Sequence, residues 1–280
     1  AWHDLWRAGV PRDIRLDVFS LVMAHQQVFH LMHQKDVQRD LARFSVTGSW
    51  YELTMFAKAD NRGRICQNQS ETEDELNLVR MYADEQGCLH TAWNFPSDQA
   101  RVRFGRGAKD SLFFNPQPPQ GSKVIVLCGV PGMGKDTYIE KHIPKEFAHI
   151  SLDLTREELD ISPTGNQGKV IQTAMEECRV CLRTGAPFVF NATNLTRDRR
   201  SKIIDLALNY DAHVEIHALD VPEKTLRKNN RERKAALPEK VIDRMIEKWE
   251  PPTLLEAHSI TWIAEGLVPE RTHGLPTGAD

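Results

Sequence analysis

With 280 residues, 40% apolar and 27% charged, the chain has the composition of an ordered globular protein with room for two modest domains or one large one. Its formal net charge of −3 gives no global nucleic-acid signature, so any basic surface must be local. No stretch approaches the roughly 20 apolar residues that cross a bilayer, and no apolar signal region follows the opening Ala1-Trp2-His3-Asp4. Five scattered cysteines, an odd number, argue for a reducing compartment, and a cytoplasmic location is expected.

The first third reads as helices. Residues 14–33 carry Ile14, Val18, Leu21, Val22, Val28, Phe29 and Met32 at spacings near the helical period of about 3.6. A second helix is expected over 51–59, with Ser49 as N-cap and Glu52 completing a capping box. A third, over 70–83, opens on an acid-rich turn that suits the helix dipole. Between 94 and 114, Pro96, Gly105 and Gly107 are expected to break any helix. Arg101, Arg103, Arg106 and Lys109 make that stretch basic, which suits either a solvated loop or phosphate contacts. The run Asn115-Pro116-Gln117-Pro118-Pro119-Gln120-Gly121 reads as a linker. The expected division is a helical domain over 1–114, a linker over 115–121 and a second domain over 122–280.

Beyond the linker, strand and helix patterns alternate. Strands are expected at 124–128, 148–152, 187–191, 213–219 and 259–263, and helices at 136–142, 167–184, 198–209, 223–233 and 239–249. That alternation implies an α/β fold with a parallel sheet and helices on both of its faces. Ligands of such sheets sit at the carboxyl ends of the strands, which singles out the loop after 128, Asp153 and Asn191. Cys178 and Cys181 form a C-x-x-C, but they share a helical face with Val170, Ile171, Ala174 and Leu182. No second pair or nearby histidine completes a zinc site, so they read as core.

The loop after the first strand is Gly129-Val130-Pro131-Gly132-Met133-Gly134-Lys135-Asp136-Thr137. A G-x-x-x-x-G-K run between a strand and a helix is a phosphate cradle, and it implies a bound nucleoside triphosphate. Glycines let the backbone turn its N–H groups toward anionic oxygens, and the helix N-terminus adds its positive end. Lys135 is placed to reach the outer phosphates. The position after the lysine, where Ser or Thr ordinarily holds magnesium, is Asp136. Asn191 stands where many phosphate-loop proteins carry an Asp, so a carboxylate has in effect moved from one strand end to the other.

Asp153, in Ser151-Leu152-Asp153-Leu154-Thr155-Arg156, follows the second strand. It suits either the base that orients and deprotonates an attacking hydroxyl or the cap of a helix that starts near Thr155. Arg156 could clamp an acceptor phosphate through its planar fork. Arg227, Lys228, Arg231, Arg233 and Lys234 crowd one segment, either a solvated basic face or a lid that folds an arginine over the phosphates.

Taken in order, these motifs make residues 122–264 resemble the kinase domain of polynucleotide 5′-hydroxyl kinases of the phage and bacterial repair type. The carriers are the phosphate loop, Asp153 with Arg156, and Asn191-Ala192-Thr193-Asn194-Leu195-Thr196-Arg197-Asp198-Arg199-Arg200. Asn230-Arg231-Glu232-Arg233 followed by Leu237-Pro238 completes the set. The resemblance implies a three-layer phosphate-loop kinase fold that uses ATP or another NTP with Mg2+. The acceptor it implies is the 5′-hydroxyl end of an RNA or DNA strand. It further implies that Lys135 contacts the donor phosphates, Asp153 is the general base, Arg156 grips the acceptor's 3′ phosphate and Arg233 is the lid arginine. Asp136 and Asn191 depart from the family pattern at the metal site.

The first domain looks like the later portion of an HD-type phosphohydrolase, on Leu5-Trp6-Arg7-Ala8-Gly9-Val10-Pro11, the helix holding His25, and Ala57-Lys58-Ala59-Asp60-Asn61-Arg62-Gly63-Arg64. Asp60 fits the last metal ligand of such a domain. His3-Asp4 is a His-Asp pair, but no histidine precedes it, so the domain is expected to be a truncated remnant with an incomplete centre. The expectation is thus an NTP- and magnesium-dependent polynucleotide kinase behind a helical remnant. Two rivals share the phosphate loop: a kinase of a small acceptor such as a nucleoside, sugar or antibiotic, and a non-catalytic nucleotide-binding module.

Overall fold

Small polar residues cap the start of three helices in the first unit. The structure is a computed structural model that describes residues 1–65, 68–162, 165–233 and 236–272. Helices α1 (Trp2–Arg7), α2 (Arg12–Ala24), α3 (Val37–Ser45), α4 (Trp50–Gly63), α5 (Gln69–Glu85) and α6 (Asp98–Gly105) make up this unit together with a short 3-10 turn at Val28–His33. Asp36 accepts from the Arg39 N–H at 3.1 Å to start α3, and Ser49 accepts from the Glu52 N–H at 3.3 Å to start α4.

Two expectations fail here for local reasons. The 14–33 helix stops at Ala24, where the His25 ring Nδ1 donates to the Val22 carbonyl at 2.7 Å and the chain turns through polar residues. The 94–114 stretch, expected to hold no helix, contains α6. Pro96 precedes its cap, Ser97, which accepts from the Ala100 N–H at 3.3 Å, and Gly105 is its last residue. The breakers flank the helix instead of interrupting it. Its charges are engaged as well: Arg101 is buried and paired with Asp98, and Arg103 meets Asp110 at 2.6 Å.

The second compact unit covers Pro116–Pro252 with Glu256–Thr272. The proline-rich run at its start is tied down, since the Gly121 N–H donates to the Asp211 carbonyl at 2.8 Å. Strands β1 (Lys123–Cys128), β2 (Ala148–Ser151), β3 (Phe188–Asn191), β4 (His213–Leu219), β5 (Ser259–Ile263) and β6 (Pro269–Thr272) form one sheet in the order β2-β3-β1-β4-β5-β6. The first five run parallel, and β6 pairs antiparallel to β5. Every residue of β3 and β5 is buried, the pattern of a sheet covered on both faces. The connections run through α7 (Lys135–His142), α8 (Leu152–Glu158), α9 (Gln167–Thr184), α10 (Arg197–Asn209), α11 (Glu223–Glu232) and α12 (Glu239–Glu247). The α/β parallel architecture expected from the sequence is present. β6 was not foreseen, because a four-residue edge strand headed by Pro269 lacks an apolar run.

Residues 213, 215 and 217 share one face of β4 and form a polar network. The His217 Nε2 donates to Glu215 at 3.3 Å, while its Nδ1 accepts from the Tyr138 hydroxyl at 3.0 Å. Burial alone would raise the Glu215 carboxyl, but hydrogen bonds from His213 and His217 and the Lys123 charge at 3.2 Å hold it well below the usual carboxylate range. Cys178 and Cys181 lie on α9, and burial pushes the Cys178 thiol up to about 12, as expected for packing rather than metal binding.

Candidate active site

The register pairs Val126 with Phe190 and Ser151 with Asn191, so the loops leaving β1, β2 and β3 emerge side by side. The loop Gly129–Thr137 is held from three directions. Val130 and Met133 are buried beneath it. The Gly129 N–H donates to the Thr193 carbonyl at 3.0 Å, fixing it to the segment after β3. Asn229 of α11 donates to the Gly132 carbonyl at 2.9 Å. Gly132 has φ +94°, and a Cβ there would stand 2.9 Å from the Leu226 carbonyl oxygen, so both conformation and contact demand glycine. Gly134, at φ +93°, is the N-cap of α7. Asp136 and Thr137 lie in that helix's first turn.

Lys135 Nζ lies against this loop, donating to the Gly129 carbonyl at 2.9 Å and the Val130 carbonyl at 3.4 Å. Desolvation pulls its ammonium down to about 8, with Asp136 acting in the opposite direction. An anion placed there would raise it again.

Asp136 and Asn191, 55 positions apart in the chain, meet. Asn191 Nδ2 donates to Asp136 Oδ1 at 2.7 Å and also lies 3.1 Å from His149 Nε2. One amide nitrogen carries two hydrogens, and both are used here, which fixes the orientation of the amide. The second bond requires a neutral acceptor nitrogen on His149. That agrees with partial burial lowering the His149 pKa against the opposing pull of Asp136. His149 was missed from sequence, since a lone histidine on a strand carries no motif.

Ser151, not Asp153, caps α8: its hydroxyl accepts from the Asp153 N–H at 3.3 Å and the Leu154 N–H at 3.5 Å. The Asp153 carboxylate is therefore not occupied in capping and is 68% exposed. It pairs with Arg156 at 2.5 Å and with Arg233, at the end of α11, at 3.7 Å. Arg156 also donates to Gln167 at 3.2 Å.

The basic segment divides by role. Arg227 is a fastener, bonded to Glu223 on its own helix and to Glu239 and Asp243 of α12. Asn230 is buried and bonds Leu237 twice, donating to its carbonyl at 2.8 Å and accepting from its N–H at 3.1 Å. Arg233, inside the span that Asn230 closes, is the arginine that reaches Asp153. Lys234 lies outside the described residues.

Arg200, also missed, is wholly buried. It makes a two-pronged pair with Glu256 at 2.7 and 3.0 Å and donates to the carbonyls of Asn194, Leu195 and Glu250 at 3.0–3.2 Å. It thereby braces the same segment that carries Thr193. Asp60, in the first unit, sits within an ion pair with Arg64 at 2.5 Å. Among the described residues no group of three or more His, Cys, Asp or Glu side chains is placed to hold a metal ion, there or elsewhere. No helix among them is long and apolar enough to cross a membrane.

Residues 124–252 match the family model of an AAA domain, AAA_33. The second unit is a P-loop kinase-like AAA domain. Its fold and phosphate loop are of the kind that binds a nucleotide. No curated protein matches the sequence. Among solved structures, a chain of the Pnkp1/Rnl/Hen1 RNA repair complex is similar at 17% identity and TM-score 0.43, covering 48% of this chain and 45% of that one. A gluconokinase from Sinorhizobium meliloti is 19% identical, with TM-score 0.38, over 53% and 84% of the two chains. Chaetomium thermophilum Kti12, in complex with ADP-AlF3, is 17% identical, with TM-score 0.39, over 51% and 89%. The present chain thus spans under half the length of the RNA-repair chain it matches.

Proposed function

We propose that the second unit transfers the γ-phosphoryl group of ATP or another nucleoside triphosphate to the 5′-hydroxyl end of an RNA or DNA strand. The observation that supports this reading is the exposed Asp153 carboxylate, flanked by Arg156 from its own helix and Arg233 from the end of α11. Asp153 takes the proton of the 5′-hydroxyl as that oxygen attacks the γ-phosphorus. The new O–P bond forms as the bond from phosphorus to the β,γ-bridging oxygen breaks, and the electron pair leaves with the diphosphate. Arg156 suits the acceptor's adjacent phosphate, because a planar fork binds two oxygens at once. Arg233 and Lys135 bring positive charge to the transferring group, and the N–H groups of the loop and of α7 hold the donor oxygens.

The residues beside the loop fit a magnesium ion. Asp136 Oδ2 and Asn191 Oδ1 are oxygens outside the Asp136–Asn191–His149 bonds, and hard oxygen donors with few carboxylates suit this cation. Such an ion neutralises charge on the β- and γ-phosphate oxygens when bound. Asp136→Ser alone is expected to lower magnesium-supported turnover by about 10–100-fold. Asn191→Asp alone sets two carboxylates side by side and is also expected to impair turnover. The double substitution restores one carboxylate and one hydroxyl, and should recover most of the rate. Unchanged rate and metal dependence in Asp136→Ser would remove Asp136 from this role.

The test of the reaction itself is a panel. The protein is incubated with γ-labelled ATP and, separately, 5′-hydroxyl RNA, 5′-hydroxyl DNA, gluconate, nucleosides and aminoglycosides. Label on the oligonucleotides is expected. Label confined to a small alcohol would reassign the acceptor, and nucleotide binding without transfer to any acceptor would mark a non-catalytic module.

A further inference from the structure

Beside the phosphate loop lies a cavity of about 210 Å3, walled by α10, α12 and the segment after β3. Leu195, Val241 and Met245 supply an apolar wall, and Thr193 and Thr196 supply hydroxyls. Arg199, Arg244 and Lys248 stand around it. These three cations are exposed, and no described acid pairs with their side chains. Other arginines of this unit, Arg156, Arg200, Arg227 and Arg233, each meet a carboxylate. Arg244 of α12 and Lys248, the residue that caps its C-terminus, are also four apart, a spacing at which like charges destabilise a helix by about 0.2–0.5 kcal/mol. Three mutually repelling cations around one concavity, on a chain of net charge −3, call for an anion from outside.

We infer that this groove binds the phosphodiester backbone of a single-stranded nucleic acid, holding the acceptor strand beyond the nucleotide that receives the phosphate. The inference rests on the acceptor reading given above. Arginine and lysine side chains from two helices can meet successive phosphates, while the apolar wall accepts a base face without reading its identity. Thr196 Oγ1 accepts from the Arg199 N–H at 3.3 Å, which leaves its hydroxyl proton to donate to a phosphate oxygen. Thr193 connects the groove to the chemistry: it lines the cavity, and its carbonyl holds Gly129 of the phosphate loop at 3.0 Å.

The experiment compares the wild-type chain with the triple variant Arg199→Ala, Arg244→Ala, Lys248→Ala, whose side chains are exposed. Binding of a labelled oligonucleotide of about 12 nucleotides is followed by fluorescence anisotropy across a salt series. The variant is expected to bind on the order of tenfold more weakly at low salt. Its slope of log K against log salt should be shallower by about 2, at roughly 0.7 for each phosphate that is no longer neutralised. The KM for the oligonucleotide should rise, while ATP affinity and the KM for a nucleoside 3′-phosphate stay as in wild type. Equal strand affinity and equal salt slope in the two proteins, or no strand binding by wild type, would overturn the groove. The two readings fail separately. Weakened strand binding in a protein that phosphorylates no 5′-hydroxyl keeps the groove and removes the kinase reading. Unaltered strand binding in an active kinase does the reverse.

Discussion

Asp153→Ala is expected to lower the rate of phosphoryl transfer to a 5′-hydroxyl oligonucleotide by about 10²–10⁴-fold, the range over which a positioned general base acts. ATP affinity and thermal stability should be nearly unchanged. The carboxylate is 68% exposed, it does not cap α8, and its ion pairs with Arg156 and Arg233 are of the solvated kind worth about 0–1 kcal/mol. Lys135→Ala tests the donor side of the same reaction. It should cost about 10²–10³-fold in rate and weaken ATP binding as well, because under the proposed function the lysine meets donor phosphates before and during transfer. Single-turnover kinetics with each variant, beside a nucleotide-binding titration, separate the two effects. Full transfer by Asp153→Ala would remove the base, whereas loss of ATP binding in that variant would show that the residue acts on the donor.

Arg200→Ala is expected to be the most destabilising single change in the second unit, at about 3–5 kcal/mol. That is a large part of the roughly 5–15 kcal/mol that holds a domain folded. The loss has two parts. Glu256, 2% exposed, loses the guanidinium that meets both its oxygens, and the carbonyls of Asn194, Leu195 and Glu250 lose a donor. Arg200→Lys cannot fill the role, since one ammonium does not span both the carboxylate and three carbonyls. A double variant, Arg200→Leu with Glu256→Leu, distinguishes the parts. Removing both charges cancels the first, but the carbonyls still lack the guanidinium, with only the Cys128 thiol left on Asn194 and the Glu250 N–H on Leu195, so the double should remain less stable than wild type in urea unfolding. Complete recovery would mean that the carbonyl bonds contribute nothing.

The parts of this protein legible from sequence are those in which chemistry lies within a few adjacent residues. Glycine spacing and the strand–helix setting announced the loop Gly129–Thr137, and runs of mostly buried, largely apolar residues announced β1, β3, β4 and β5. What stayed hidden depends on partners far apart in the chain. Asp136 and Asn191 were each noted as odd, but only the register of β1, β2 and β3 puts them 2.7 Å apart with His149 beside them. Arg200 had a readable sign, because it shares the helical spacing of Ile203, Ile204 and Ala207 on the buried face of α10. A charge at an apolar position implies a buried partner, yet Glu256 lies 56 residues on, beyond any local pattern. The basic segment before Leu237 could not be apportioned from composition. Arg227 and Arg233 differ only in which acids the folded chain brings to them.

The two asparagines of α11 give the donor loop and the lid a common frame. Asn229 grips the Gly132 carbonyl, and the next residue closes the span that carries Arg233 onto Leu237. Under the proposed function, a nucleotide that tightens the loop backbone is felt through these bonds at the segment of Arg233, the arginine that pairs with Asp153. Free-energy coupling of this kind is reciprocal: whatever factor the nucleotide adds to acceptor affinity, the acceptor returns to nucleotide affinity. Donor and acceptor are then expected to bind as a cooperative pair, with order of addition a matter of concentration and not of sequence.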